Sequence, residues 1–162
     1  MKKPLKLKLW KTIKVRPIKL FAFDSTFHKP DHFTSGDNFW EPGIRWQTWN
    51  WREKCLGIKF LNKGNVANPL VETRIYSNEK LSNDFVDSLI EEIKYRYNFN
   101  LNLTGFYKTF SKDKVLAPIF KKLRGMRPRH PSSLYEYLII GIVLQNASVR
   151  RSVQMFKALL EN

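Results

Sequence analysis

The chain has 162 residues, 43% hydrophobic and 14% aromatic, which is enough to bury a core and excludes intrinsic disorder. Lys plus Arg is 29 against 14 acids, so 29 − 14 gives a net charge of +15, a field that favours a polyanion: nucleic acid first, an anionic membrane surface second. A lone cysteine, Cys55, excludes an internal disulfide and a thiolate metal cluster and points to a reducing, intracellular compartment.

No long apolar run follows Met1-Lys2-Lys3-Pro4, so neither a signal peptide nor a spanning helix is expected. Leu5-Lys6-Leu7-Lys8-Leu9 alternates with period two and predicts a strand, which Trp10 and Ile13 extend. Ile18 to Phe23 is a second strand candidate, and Asp24 to Asp37 reads as loop. Asn38-Phe39-Trp40-Glu41-Pro42-Gly43-Ile44-Arg45-Trp46 leads into a meander through Trp49, Trp51 and Cys55 to Phe60. Asn62 to Asn65 is a turn and Val71 to Tyr76 another strand. The tryptophans suit either a platform on which bases stack or a sheet face packed against a helix. Packing is the commoner fate of aromatic strand residues.

From Ser82 the period changes to 3.6. Phe85, Leu89, Ile93 and Tyr97 share one face with Val86 and Ile90, and Glu92 stands four before Arg96. A polar break at 98–102 precedes a short helix through Leu103, Phe106, Tyr107 and Phe110. Asp113 caps a further helix through Leu116, Ile119, Phe120 and Leu123, which Gly125 stops. Arg127-Pro128-Arg129-His130-Pro131 is extended, because proline disfavours helix at its own position and the one before.

In the last stretch, Ser133 and Glu136 form a capping box for a helix from Leu134 to Leu144. Leu134, Tyr135, Leu138, Ile139, Ile142 and Val143 make that helix apolar nearly all round, as in the interior of a bundle. Gln145-Asn146-Ala147-Ser148 turns the chain and offers a fresh N-cap. The second helix places Val149, Val153, Phe156 and Leu160 on one side and Arg150, Arg151 and Lys157 elsewhere.

Ser133, Tyr135-Glu136, Leu138-Ile139, Ile142-Val143 and then Gln145-Asn146-Ala147-Ser148-Val149 resemble the entry segment of the helix-hairpin-helix DNA glycosylase superfamily, in the 3-methyladenine and 8-oxoguanine branch. Leu134 departs from that pattern, which often has Pro there; either suits a first helical turn. The dense match covers about twenty residues, and Ile44-Arg45-Trp46 adds a counterpart to the family's Phe-Arg-Trp. The resemblance implies an α+β fold. An antiparallel sheet domain with a crossing helix spans 1–100, and 101–162 opens a helical domain that is incomplete. It implies double-stranded DNA as partner and no cofactor. It also implies that Gln145 and Asn146 press into the duplex or fill the gap left by an extruded base. Ser148, Arg150, Arg151, Arg127 and Arg129 would contact DNA, with Lys121, Lys122 and Arg124 also within reach of phosphates. A surface role is open for each arginine, and capping is open for Gln145 and Asn146.

The family's catalysis needs a Gly-rich hairpin and, about twenty residues later, an Asp, which a Lys precedes in bifunctional members. The seven glycines at 36, 43, 57, 64, 105, 125 and 141 form no Gly-x-Gly, and one helix's worth of chain follows Ser148. No catalytic residue is therefore nominated, and this stretch alone is expected to be inactive. Asp113, Glu136 and Glu161 read as caps or solvated charges. Pro30 between His28 and His32 spoils a helical metal face, and Ser132 with His130 makes no triad. Uncovered apolar faces on the 134–144 helix predict a second chain or a homodimer over them, or an unstable helical half. The alternative function is a non-catalytic basic DNA-binding module resembling a helix-turn-helix, with Arg150 and Arg151 in a groove, or the remnant of a glycosylase. A recognition helix follows a half-buried partner, whereas 134–144 is apolar nearly all round, which favours the glycosylase reading.

Overall fold

A computed structural model describes residues 6–28, 38–130 and 134–161. The architecture is α+β, built on a five-stranded antiparallel sheet. The strands are β1 (Lys8–Val15), β2 (Asn38–Glu41), β3 (Ile44–Trp51), β4 (Lys54–Asn62) and β5 (Val71–Ser77). Their order is β1-β5-β4-β3-β2, so β1 closes the far edge beside β5.

Helix α2 (Asn83–Arg96) lies across one face of this sheet. Ser82 caps it by accepting the Phe85 N–H at 3.2 Å. Its first turn reaches β1, where Lys11 Nζ donates to Asn83 Oδ1, and its last turn reaches β3, where the Arg96 guanidinium sits 4.2 Å above the Trp49 ring. Val86, Leu89, Ile90 and Ile93 are buried against Leu56, Ile58, Phe60, Val71 and Ile75. That is the periodicity read from the sequence, including the Glu92–Arg96 pair at 2.6 Å. The helix ends in a Schellman turn: Phe99 N–H donates to Lys94 O and Asn98 N–H to Tyr95 O, with Asn98 at φ +51°.

The expected strand over 18–23 does not form. Residues 16–22 are irregular, and α1 (Phe23–Phe27) follows. Pro17 has no N–H to give a ladder. The N–H groups of Ile18, Leu20 and Ala22 go instead to Phe99 O, Val66 O and Gly125 O. The apolar residues there plug the core: Phe21, Phe23 and Phe27 are buried among Phe60, Tyr97 and Phe99. The expected loop from 24 thus begins inside α1, and Asp24 Oδ1 accepts the Gly43 N–H at 2.7 Å. The first strand also sits later than the Leu-Lys alternation placed it. Leu9 is exposed, and Ile13 and Val15 face the core instead.

Of the tryptophans, Trp49 is buried and Trp40 and Trp51 pack on the core. Trp46 points outward beneath the Lys59 ammonium, 4.1 Å from its ring centre. His28 packs edge-on to Trp40; His32 lies outside the described residues.

Helices α3 (Thr104–Phe110) and α4 (Leu116–Lys122) follow, with Asp113 accepting the N–H groups of Val115 and Leu116 at 2.8 Å each, as its position predicted. Neither helix buries a residue fully. The second ends at Lys122, earlier than the expected stop at Gly125: Leu123 is its C-cap, and Gly125, at φ +84°, lies two residues further on. Helices α5 (Leu134–Leu144) and α6 (Val149–Glu161) form the closing pair. The capping box at Ser133 and Glu136 lies outside the described residues and side chains. Val143 and Ser152 are buried between the two helices, where Ser152 Oγ donates to Val143 O at 3.1 Å. Leu134, Tyr137, Leu138 and Ile142 remain exposed, Leu134 at 74%. Among the described side chains, this apolar helix buries Val143 beside α6 and leaves those four open.

Candidate nucleic-acid interface

The α5–α6 turn carries the polar residues singled out in the sequence. Asn146 adopts φ +53°, the left-handed region that asparagine tolerates better than most residues. Gln145 N–H still donates to Ile142 O at 3.2 Å, so the chain leaves α5 with Gln145 and Asn146 exposed at its tip. Ser148 caps α6, its Oγ accepting the Arg151 N–H at 3.4 Å. Arg150 and Arg151 follow in the first turn, both exposed. Gln145, Asn146, Ser148, Arg150 and Arg151 therefore occupy one short, accessible segment. The amides of Gln145 and Asn146 each offer donors and acceptors.

The two arginines before α5 behave differently. Arg127 is 2% exposed and lies among backbone carbonyls. Its guanidinium donates to Asn98 O at 2.6 Å, to Ile18 O at 2.8 Å and to Leu101 O, with longer contacts to Phe99 and Leu20. Burial pushes it below the ordinary arginine value, partly offset by Tyr107. This corrects the expectation that Arg127 reaches a phosphate. It is an internal staple joining the 18–20 segment, the end of α2 and the 98–101 turn. Both terminal nitrogens of the rigid fork serve that purpose, which lysine cannot match.

Arg129 is half-buried, its guanidinium beside the Tyr97 hydroxyl. That hydroxyl donates to Gln47 Oε1, which also accepts from Trp49 Nε1 at 3.1 Å. Burial raises the Tyr97 hydroxyl above its ordinary value, against the opposing charges of Arg129 and Arg45. Arg45 is itself 1% exposed and donates to Asn38 Oδ1 at 3.0 Å. The Ile44-Arg45-Trp46 motif therefore places a cation inside the sheet's covered face. His130 stacks on Tyr95 at 4.4 Å and meets Asn98 Oδ1 at 3.3 Å, which brings the extended 126–130 segment onto the end of α2.

Lys121, Lys122 and Arg124 are exposed around the end of α4. Among the described residues no three His, Cys, Asp or Glu side chains gather as a metal site, and no helix is long and apolar enough to cross a membrane.

No protein-family model matches this chain, and no curated protein matches it. Its fold, however, is similar to a solved one. A 3-methyladenine DNA-glycosylase from Archaeoglobus fulgidus superposes with a TM-score of 0.67 over 87% of this chain, at 10% identity. This chain thus has a DNA-glycosylase-like fold. It spans 47% of that protein, less than half its length.

The internal arginines were not legible in the sequence. Arg127 joins carbonyls 26 to 109 residues away, and no local spacing encodes such a contact. A faint signal existed: an arginine between a helix-stopping glycine and a proline sits where the chain must pass close to other backbone.

Proposed function

We propose that residues 1–162 form the N-terminal part of a base-excision-repair DNA glycosylase that binds duplex DNA and extrudes a damaged purine. Residues 1–100 serve as the sheet domain and 101–162 as the opening of the helical one. The supporting observation is the exposed left-handed turn at Gln145–Asn146, set between two helices on a fold shared with a glycosylase. Extruding a base costs a few kcal/mol of stacking, and a polar plug that pairs with the orphaned partner offsets part of it. Gln145 and Asn146 supply that plug. Arg150 and Arg151, in the first turn of α6, hold the flanking phosphates. Arg129, Lys121, Lys122 and Arg124 widen the electrostatic footprint. The protein acts where DNA is, inside the cell.

Hydrolysis of the N-glycosidic bond requires a hairpin and an acid that these residues do not contain, so 1–162 alone binds without excising. Further helices, from the same polypeptide or a second one, cover the exposed apolar face of α5. The alternative is a non-catalytic module with α6 in a groove, favoured by the exposure of Arg150 and Arg151. Affinity for a duplex carrying an abasic-site analogue, against an intact duplex of the same sequence, separates the two. The glycosylase reading expects roughly tenfold tighter abasic binding, lost in Asn146→Gly with Gln145→Ala, because the unstacking cost has been removed. Equal affinity across a salt series leaves only phosphate electrostatics and sinks the repair reading.

A further inference from the structure

The α3–α4 region and Leu20 line an open cavity of about 260 Å³. Its walls are apolar and aromatic: Leu20, Tyr107, Ala117 and Phe120. Phe120 is held edge-on to Tyr107 at 5.0 Å and to Phe106 at 5.3 Å. Lys121 and Arg124 belong to the same lining.

The wall opposite the helices is built under strain. Leu20 sits at φ +65°, a region that costs a branched residue about 1–2 kcal/mol. Three contacts keep it there. Its N–H donates to Val66 O at 2.8 Å, its carbonyl accepts from Arg127 at 3.4 Å, and Gly125 packs so close that a Cβ would lie 3.0 Å from the Leu20 carbonyl. Ala22 N–H donates to Gly125 O at 2.8 Å, fixing the end of α4 to the same segment. Strain that the surroundings over-determine in this way concentrates at ligand sites.

The charge around the cavity has one sign. Residues 104–124 contain Lys108, Lys112, Lys114, Lys121, Lys122 and Arg124 against a single acid, Asp113. That carboxylate is already engaged by the first N–H groups of α4. An apolar, ring-walled cavity under a cationic rim suits a ligand with a flat apolar ring and an attached anion. Its volume is below the roughly 300–1,000 Å³ of drug-sized sites, which leaves space for one ring system.

We propose that this cavity is a nucleotide pocket. It takes the base of one unpaired nucleotide against Phe120 and Leu20, with the phosphate on Lys121 and Arg124. It takes the ring chiefly by stacking, because its walls are hydrocarbon and aromatic: Ser111 spends its hydroxyl proton on Lys108 O at 3.3 Å, and Tyr107 accepts the Gly125 N–H at 2.8 Å, leaving its own O–H for an acceptor that purines and pyrimidines both carry. The pocket does not draw on the Gln145–Asn146 turn, so either site can fail alone.

The test titrates the 162-residue chain with dAMP, dTMP and deoxyribose 5-phosphate, following backbone amide NMR shifts at Ser111, Ala117 and Gly125. Both nucleotides are expected to shift these amides, with affinities within about threefold of each other. The base-free sugar phosphate binds at least about fivefold more weakly, since base–aromatic stacking is lost. Ala117→Trp fills the cavity while keeping the rim, and weakens dAMP by tenfold or more. Lys121→Ala with Arg124→Ala keeps the cavity and also weakens it. Two results overturn the proposal: equal binding of the sugar phosphate and dAMP, or dAMP affinity unchanged in a folded Ala117→Trp. No shift at these amides with millimolar nucleotide overturns it as well.

Discussion

Replacing Arg127 by Met removes every donor while keeping a long, apolar stem in the same space. Three of its contacts are short, to the carbonyls of Asn98, Ile18 and Leu101. A hydrogen bond from a charged donor contributes about 1.5–3 kcal/mol, so three at the low end give about 4.5 kcal/mol. The guanidinium is 2% exposed, and its release from a dehydrated site returns part of that. A net loss of about 3 kcal/mol is expected, which lowers a urea midpoint by 1–3 M for the ordinary range of slopes. Arg127→Lys retains the charge but cannot span carbonyls on the 18–20 segment and the 98–101 turn together. It should lose about 2 kcal/mol. Urea unfolding followed by tryptophan fluorescence measures both, and duplex affinity across a salt series is measured on the same proteins. A loss under about 1 kcal/mol in Arg127→Met, accompanied by a salt slope shallower by about one, would show that Arg127 holds a phosphate after all.

Gly125→Ala places a Cβ 2.9 Å from Ala22 N and forces alanine to φ +84°, so a stability loss of at least about 2 kcal/mol is expected by denaturant melt; a neutral variant refutes the close approach. The Tyr97 hydroxyl is held above the ordinary tyrosine value of 10.0, chiefly by burial. The native state then keeps a proton that the unfolded chain gives up, so this contribution is complete below about pH 10 and is lost as pH rises through the folded value. Melting curves from pH 8 to 11.5 should fall less steeply for Tyr97→Phe than for the parent, and parallel curves would refute it. Removing Arg150 and Arg151 together should make the salt slope of duplex binding shallower by about 1.8, at about 0.9 per phosphate contact; an unchanged slope assigns both to solvent.

Where local chemistry decides the outcome, the sequence alone was sufficient. The α2 helix, its Ser82 cap and its Glu92–Arg96 pair follow from spacing and side-chain reach within a few residues. The caps at Asp113 and Ser148 and the meander through β3, β4 and β5 belong to the same class. The turn at 145–148 was legible too, because amide and hydroxyl residues between two apolar runs have few other uses. The 16–22 segment was not. Its apolar run satisfies the pattern of a strand, but its N–H groups find acceptors on Phe99, Val66 and Gly125, far off in the chain. Arg127 and Arg129 read as surface cations for the same reason: a basic side chain near a turn is usually solvated. Only the folded chain brings a ring of carbonyls around one and a buried hydroxyl against the other. Contacts within a helical turn are set by residue types in order. Contacts across about a hundred residues are set by which backbone groups the packed core leaves unpaired, and tertiary structure alone determines those.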